Sequence, residues 1–202
     1  MPPIVVCTVG NPGISLLEAS ARLYAPDCDI FVDYNEPSTF GQAYNSAMQK
    51  AFRLHDEIII ANDDVVLTPT TVPVLMEDVR ALQRDHGDKV GFVATLSDNV
   101  RKQQNIRLVK EGVVRQERVI APLFAWVSKV AFHAAQFPPL NWYSDDVICE
   151  DLNELGFKHF VSRAYIHHAG SQTVGTDYVK LNAAAMPWLT ANRPQYIEKW
   201  FR

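Results

Sequence analysis

Two rhythms of apolar residues alternate along the chain. Residues 4–9 form a short apolar, β-rich run closed by Gly10-Asn11-Pro12-Gly13, which reads as a buried strand and a turn. Over residues 14–24, Leu16, Leu17, Ala21 and Tyr24 fall at helical spacing, with Ser15 placed as an N-cap. Residues 29–34 predict a second strand, stopped by Asn35-Glu36-Pro37. Phe40, Ala43, Tyr44, Ala47 and Ala51 form the stripe of a second helix over 39–53, and residues 58–61 are a third strand. This β-α-β-α-β opening predicts a mostly parallel sheet flanked by helices, an α/β fold.

The second half alternates less regularly. A helix starting at Thr68-Pro69 carries Leu75, Val79 and Leu82 inward and ends at Asp85-His86-Gly87-Asp88; residues 89–96 are a fourth strand. The polar, charged interval 97–118 reads as a hairpin or flexible loop with a short strand near 107–109. Residues 119–127 are apolar, and 128–135 form a short helix broken at Phe137-Pro138-Pro139. Residues 144–155 show helical spacing at Val147, Ile148, Leu152 and Leu155, with Gly156 at the C-cap. A last strand over 158–166 leads into His167-His168, followed by a helix near 178–185 and a mixed tail. No repeat or linker divides the chain, so one domain over 1–202 is the simplest account.

Composition narrows the function classes. The 202 residues suffice for one well-buried core and are marginal for two. A net charge of −4 argues against affinity built on a broad basic surface. Cys7, Cys28 and Cys149 are odd in number and show no CxxC spacing, which suits a reducing compartment better than a disulfide frame or zinc site. With no signal-peptide pattern and no run of 18 apolar residues, a cytoplasmic protein without a transmembrane segment is expected.

Candidate chemistry gathers where the strands end. Ligands of open α/β sheets sit at the carboxyl ends of strands, and Gly10-Asn11, Asp33, Asn62-Asp63-Asp64 and His167-His168 each follow a predicted strand. The apolar run Ile58-Ile59-Ile60-Ala61 drives directly into Asp63 and Asp64. Paired, poorly solvated carboxylates are costly, and a hard cation such as Mg²⁺ or Mn²⁺ removes most of that cost. The plainer alternative is a turn in which these residues cap the next segment. Asp145-Asp146 opens a helix, as N-terminal caps or as a carboxylate base for an acceptor hydroxyl. Trp142 and Tyr143 before them offer flat surface for stacking, or belong to the core. A histidine after a strand is a hydrogen-bonded structural residue or an imidazole completing an oxygen-rich metal site. Arg101, Lys102, Arg107 and Lys110 read as a solvated loop in preference to a phosphate rim.

In order and spacing, these pieces resemble the GT-A glycosyltransferases, closest to the inverting family 2 group. Residues 4–11 look like the first nucleotide-binding strand and loop, and Ile30-Phe31-Val32-Asp33 like the second. Phe40-Gly41-Gln42-Ala43-Tyr44-Asn45 is similar to a Gly-x-x-x-Asn helix start, and Asn62-Asp63-Asp64 occupies the DxD position. Trp142-Tyr143-Ser144-Asp145-Asp146, counted back from Gly156-Phe157, resembles the segment carrying the catalytic Asp. His167-His168-Ala169-Gly170-Ser171 is similar to a late His-x-x-Gly-Ser element, and Glu198-Lys199-Trp200 to a common ending. Two departures stand out: Asn62 in the first DxD place, and Ser144-Asp145 or Asp145-Asp146 where a Glu-Asp pair is usual.

The resemblance implies a single Rossmann-like GT-A domain, with residues 1–96 binding a nucleotide sugar and 97–202 supplying acceptor and catalytic parts. It implies donor contacts from Thr8, Gly10, Asn11, Asp33, Asn45, Asn62 and Asp63. It further implies Mn²⁺ or Mg²⁺ held by Asp64 and His167, with His168 the alternative, and Asp145 as base, with Asp146 one register away. The implied reaction moves a sugar from a nucleoside-diphosphate donor to a glycan or other hydroxyl acceptor; acidity disfavours a nucleic acid such as a modified phage DNA base. A nucleotidyltransferase-like enzyme is the runner-up, but Gly10-Asn11-Pro12-Gly13 lacks its basic phosphate loop. A GT-A-like binding module without catalysis is the third reading.

Overall fold

The computed structural model describes residues 1–10, 12–34, 38–110, 112–169 and 177–201. The elements are β1 (Ile4–Thr8), α1 (Ile14–Tyr24), β2 (Ile30–Tyr34), α2 (Phe40–Ala51), β3 (Glu57–Ala61), β4 (Val65–Leu67), α3 (Thr71–His86), β5 (Val90–Ser97), β6 (Arg115–Glu117), β7 (Phe124–Ser128), α4 (Lys129–Ala134), α5 (Ser144–Glu154), β8 (Lys158–His168), α6 (Tyr178–Asn192) and α7 (Pro194–Trp200). One sheet runs β2-β1-β3-β7-β5-β8-β4, with β6 also paired to β8. Strands β1, β2, β3, β5 and β8 point one way; β4, β6 and β7 oppose them. The expected α/β sheet, mostly parallel and flanked by helices, is present.

Strand alternation divides the core between the two faces of the sheet. Ile4, Val6, Ile59 and Ala61 pack with Leu17 and Ala21 of α1 and with Val72, Leu75 and Val79 of α3. The intervening Val5, Ile58 and Ile60 pack with Tyr44, Ala47 and Met48 of α2, Phe132 of α4, and Ile148 and Leu152 of α5. The central strands are therefore apolar over most of their length, with polar residues such as Thr8, Glu57 and Ser97 at their ends, because helices cover both sides. A smaller cluster, Leu140, Val147, Ala185, Leu189 and Tyr196, seats α6 and α7 beside α5.

Four boundaries differ from the sequence reading, each for a local reason. Helix α3 begins at Thr71, not Thr68: Pro69 disfavours helical backbone at residue 68, and the Thr68 N–H donates to Thr71 Oγ1 at 2.8 Å. The strand expected near 107–109 is absent, and β6 lies at Arg115–Glu117. Residues 97–109 fold around buried Gln104, whose side chain accepts from the Ala121 N–H (2.6 Å) and donates to the Ala121 and Thr95 carbonyls (2.9 and 3.3 Å). Helix α6 continues past residue 185 to Asn192, and the tail forms α7. Strand β8 runs on through His167 and His168 because they pair with Val66 and Val65 of β4. No helix among the described residues is long and apolar enough to cross a membrane.

Candidate active site

Thr8, Asp33, the Asn62-Asp63-Asp64 turn, Asp98 and His168 all stand at the carboxyl end of β1, β2, β3, β5 or β8. Because these five strands are aligned, the groups share one sheet edge. Asp63 and Asp64 are 5% and 6% exposed, so their charges must be met within the protein. The Thr8 hydroxyl donates to Asp63 Oδ2 at 2.6 Å, and the Gly10 N–H donates to Thr8 Oγ1 at 3.0 Å. Gly13 lets the start of α1 approach this turn, since a β-carbon there would lie 2.9 Å from the Asp63 carbonyl oxygen and 3.1 Å from Asp64 Cα.

Asp64 meets His168. His168 Nε2 lies 3.2 Å from Asp64 Oδ1, and His168 Nδ1 lies 2.7 Å from the Asn99 carbonyl oxygen. A carbonyl only accepts, so Nδ1 carries the proton and a neutral ring turns its Nε2 lone pair toward the carboxylate. Two acceptors then face each other unless a proton or a cation lies between them. Burial works against charging this ring, but the bonds to Asp64 and Asn99 and the charges of Asp64 and Asp98 outweigh it, raising the His168 pKa above the usual histidine value. The fixed tautomer is the arrangement that orients a metal-binding imidazole.

His167 was the expected ligand, but it points the other way. Successive strand residues face opposite sides, so His167 is exposed and its Nδ1 donates to Asp98 Oδ2 at 2.6 Å. Among the described residues, no three His, Cys, Asp or Glu side chains converge as a metal cage. The Asp64–His168 donor pair suits a Mg²⁺- or Mn²⁺-like ion that takes most of its remaining ligands from phosphate oxygens.

The second half of the site is the start of α5. Tyr143, at φ 64°, adopts the left-handed conformation just before Ser144, Asp145 and Asp146. Arg101 reaches both acids: Nη2 donates to Asp145 Oδ2 at 2.6 Å, while Nη1 and Nη2 donate to Asp146 Oδ1 and Oδ2 at 2.7 and 2.8 Å. Asp146 is thus held in bidentate fashion and Asp145 through one oxygen. Burial raises the Asp145 pKa, Arg101 lowers it and Asp146 raises it again, for a balance at about 6. This is the range a carboxylate base needs near neutral pH.

The other expected donor residues divide. Asp33 lies at the rim and pairs with Lys50 at 2.7 Å. Asn62 is half-buried; its N–H donates to the Leu123 carbonyl, and its Oδ1 lies 3.5 Å from the Tyr44 hydroxyl. Asn11, Gly170 and Ser171 lie outside the described residues. Asn45 is committed elsewhere: Nδ2 donates to the Phe137 carbonyl at 2.8 Å and Oδ1 accepts from the Phe137 N–H at 3.0 Å. One turn earlier, a β-carbon on Gly41 would sit 1.8 Å from the Pro138 carbonyl oxygen. The Gly-x-x-x-Asn element therefore clamps the loop leading into α5, and the Asn45 amide, expected at the donor, is engaged by the Phe137 backbone.

Three features escaped the sequence reading. Asp98 accepts from the His167 ring and from the His168 N–H (3.1 Å), and these bonds hold its carboxyl below its usual range against the effect of burial. Arg101, expected in a solvated loop, bridges the two acids. The third feature is a clasp of α6 and α7 over α5. Tyr143 stacks on Trp200 and donates its hydroxyl to Asn182. Buried Glu150 binds Arg118 and Lys199 at 3.0 and 2.8 Å, and Asp151 binds Arg193 and the Tyr196 hydroxyl. The only available cue was the density of aromatic and charged residues in the tail.

No family model matches the sequence, and no curated protein matches it by sequence. Solved structures do share the fold. A197 from STIV superposes with a TM-score of 0.60 at 12% identity, over 85% of this chain and 87% of that one. A glycosyltransferase involved in glycosylation of the major capsid of PBCV-1 gives 0.53 at 11% identity, over 85% and 95%. GalNAc-T7 with UDP, GalNAc and Mn²⁺ gives 0.56 at 13% identity, over 96% of this chain but 51% of that one, so this chain spans about half its length. The architecture and these likenesses identify the fold of the chain as GT-A-like.

Proposed function

We propose that the chain is a metal-dependent, inverting glycosyltransferase that moves a hexosyl or pentosyl group from a nucleoside-diphosphate donor to an acceptor hydroxyl. The observation that carries this reading is the Asp64–His168 pair at the strand ends of a GT-A-like fold, with Asp145 tied to the same edge through residues 98–101. Residues 1–96 hold the donor through Thr8, Gly10, Asp33, Asn62 and Asp63. Residues 97–202 supply the base and the acceptor surface, all within one domain.

Asp64 and His168 would hold Mn²⁺ or Mg²⁺, which supplies charge neutralisation for a departing diphosphate. Asp145 accepts the proton of the acceptor hydroxyl as its oxygen bonds to the anomeric carbon. The carbon–oxygen bond to the diphosphate breaks on the opposite side, and the anomeric centre inverts. The UDP and Mn²⁺ named with GalNAc-T7 support a nucleotide-sugar donor and a divalent ion. A glycan acceptor agrees better than nucleic acid with the net charge of −4.

A panel of nucleotide sugars, each assayed for nucleoside-diphosphate release with Mn²⁺ and with EDTA, tests the reading. Metal-dependent release from one or more donors is expected. A panel with neither release nor thermal shift, or a shift by nucleoside triphosphates alone, would overturn it.

A further inference from the structure

Residues 98–101 touch both halves of the site. Asp98 accepts from the His167 ring and the His168 N–H, and the Asn99 carbonyl accepts from His168 Nδ1. Two residues on, the Arg101 guanidinium makes three hydrogen bonds, one to Asp145 and two to Asp146. The segment is held from behind: the Gln104 N–H donates to the Arg101 carbonyl, the Ser97 N–H donates to the Gln104 carbonyl, and the Gln104 side chain is buried. Such a braced guanidinium fork orients carboxylates in a way that a flexible ammonium does not.

We propose that Arg101 is a positioning residue of this site: its fork grips Asp146, which fixes the guanidinium so that Nη2 holds Asp145 through one oxygen, and through Asp98 and Asn99 it ties Asp145 to the His168–Asp64 pair. The inference rests on the glycosyl-transfer reading for its role in turnover, but not for its effect on Asp145. Two acids share one cation here. Among the described residues, the Cys149 thiol and the Tyr143 hydroxyl also interact with the pair. Arg101 is thus the positive charge that offsets Asp146 at Asp145. Its loss leaves Asp145 beside a like charge and makes it hold its proton more tightly.

The test compares wild type, R101Q and R101K by carbon-detected NMR titration of the Asp145 carboxyl, assigned with D145N, and by the pH dependence of nucleoside-diphosphate release. In R101Q the Asp145 titration and the acid limb of turnover move up together by about 1–3 pH units. In R101K the charge remains and the fork is lost, so the titration stays near wild type while kcat falls about tenfold or more at unchanged donor KM. A folded R101Q whose Asp145 titrates as in wild type overturns the inference, and so does R101K with wild-type kcat. If R101Q does not fold, R101K decides. If Asp145 moves in R101Q but wild type turns over no nucleotide sugar, Arg101 keeps its hold on Asp145 and the glycosyl-transfer reading falls.

Discussion

His168 faces Asp64 at 3.2 Å because β8 pairs with β4 in the register that sets His168 opposite Val65, the residue after Asp64. His167, one position earlier, is turned to Asp98 by the same alternation. The two histidines therefore separate by experiment. H168A should weaken Mn²⁺ binding in the presence of nucleoside diphosphate by about 100-fold, whereas H167A, which touches only the supporting shell, should cost about tenfold or less. Isothermal titration calorimetry reads both. Because the His168 pKa is raised, protons compete with the ion, and apparent affinity should fall as pH drops through that value.

The proposed role of Asp145 as base predicts a dependence of activity on pH. With a folded pKa of about 6, turnover should rise with pH through that value and then level off. D145N should retain donor binding and lose transfer by about 10³-fold or more. If D146N does this instead, the base lies one residue further along.

The same group predicts a stability change of known sign. Its folded pKa of about 6 lies above the unfolded value of about 3.9, so the folded state binds the proton more tightly. That stability is fully present below about pH 4 and is lost as pH rises through about 6. D145N removes an ionised, half-buried carboxylate and should raise stability at pH 7 by about 2 kcal/mol, with little gain at pH 4. Urea denaturation at the two pH values checks it.

Asn45 and Gly41 should behave as structural residues. N45A loses both hydrogen bonds to the Phe137 backbone and should cost about 2–3 kcal/mol of stability while leaving donor KM unchanged. G41A forces a β-carbon against the Pro138 carbonyl oxygen and should cost about 2–4 kcal/mol. A donor KM that rises in a fully stable N45A would return Asn45 to the binding site.

What was legible in the chain follows from the range of the interactions. The β1-to-β3 half reads cleanly because its helix stripes and apolar strands are long enough to show their period. Strands β4 and β6 have three residues each and exist only through pairing with β8, so no local pattern announces them. The acids of the site were visible because carboxylates after an apolar run are costly. The choice between His167 and His168 was not visible, since it depends on a register set by a strand about 100 positions away in sequence. Arg101 was illegible for the same reason: its partners lie 44 and 45 residues further on.

The clasp of α6 and α7 has a consequence for biosynthesis. Tyr143 holds a left-handed backbone next to Asp145, a conformation worth about 1–2 kcal/mol of strain in a non-glycine residue, and its ring rests on Trp200. On a ribosome, the sheet can form while the tail is still in the exit tunnel, but the loop before Asp145 lacks its support until Trp200 emerges. The loop before Asp145 would thus be set after the sheet, which separates the moment the sheet folds from the moment this edge is complete.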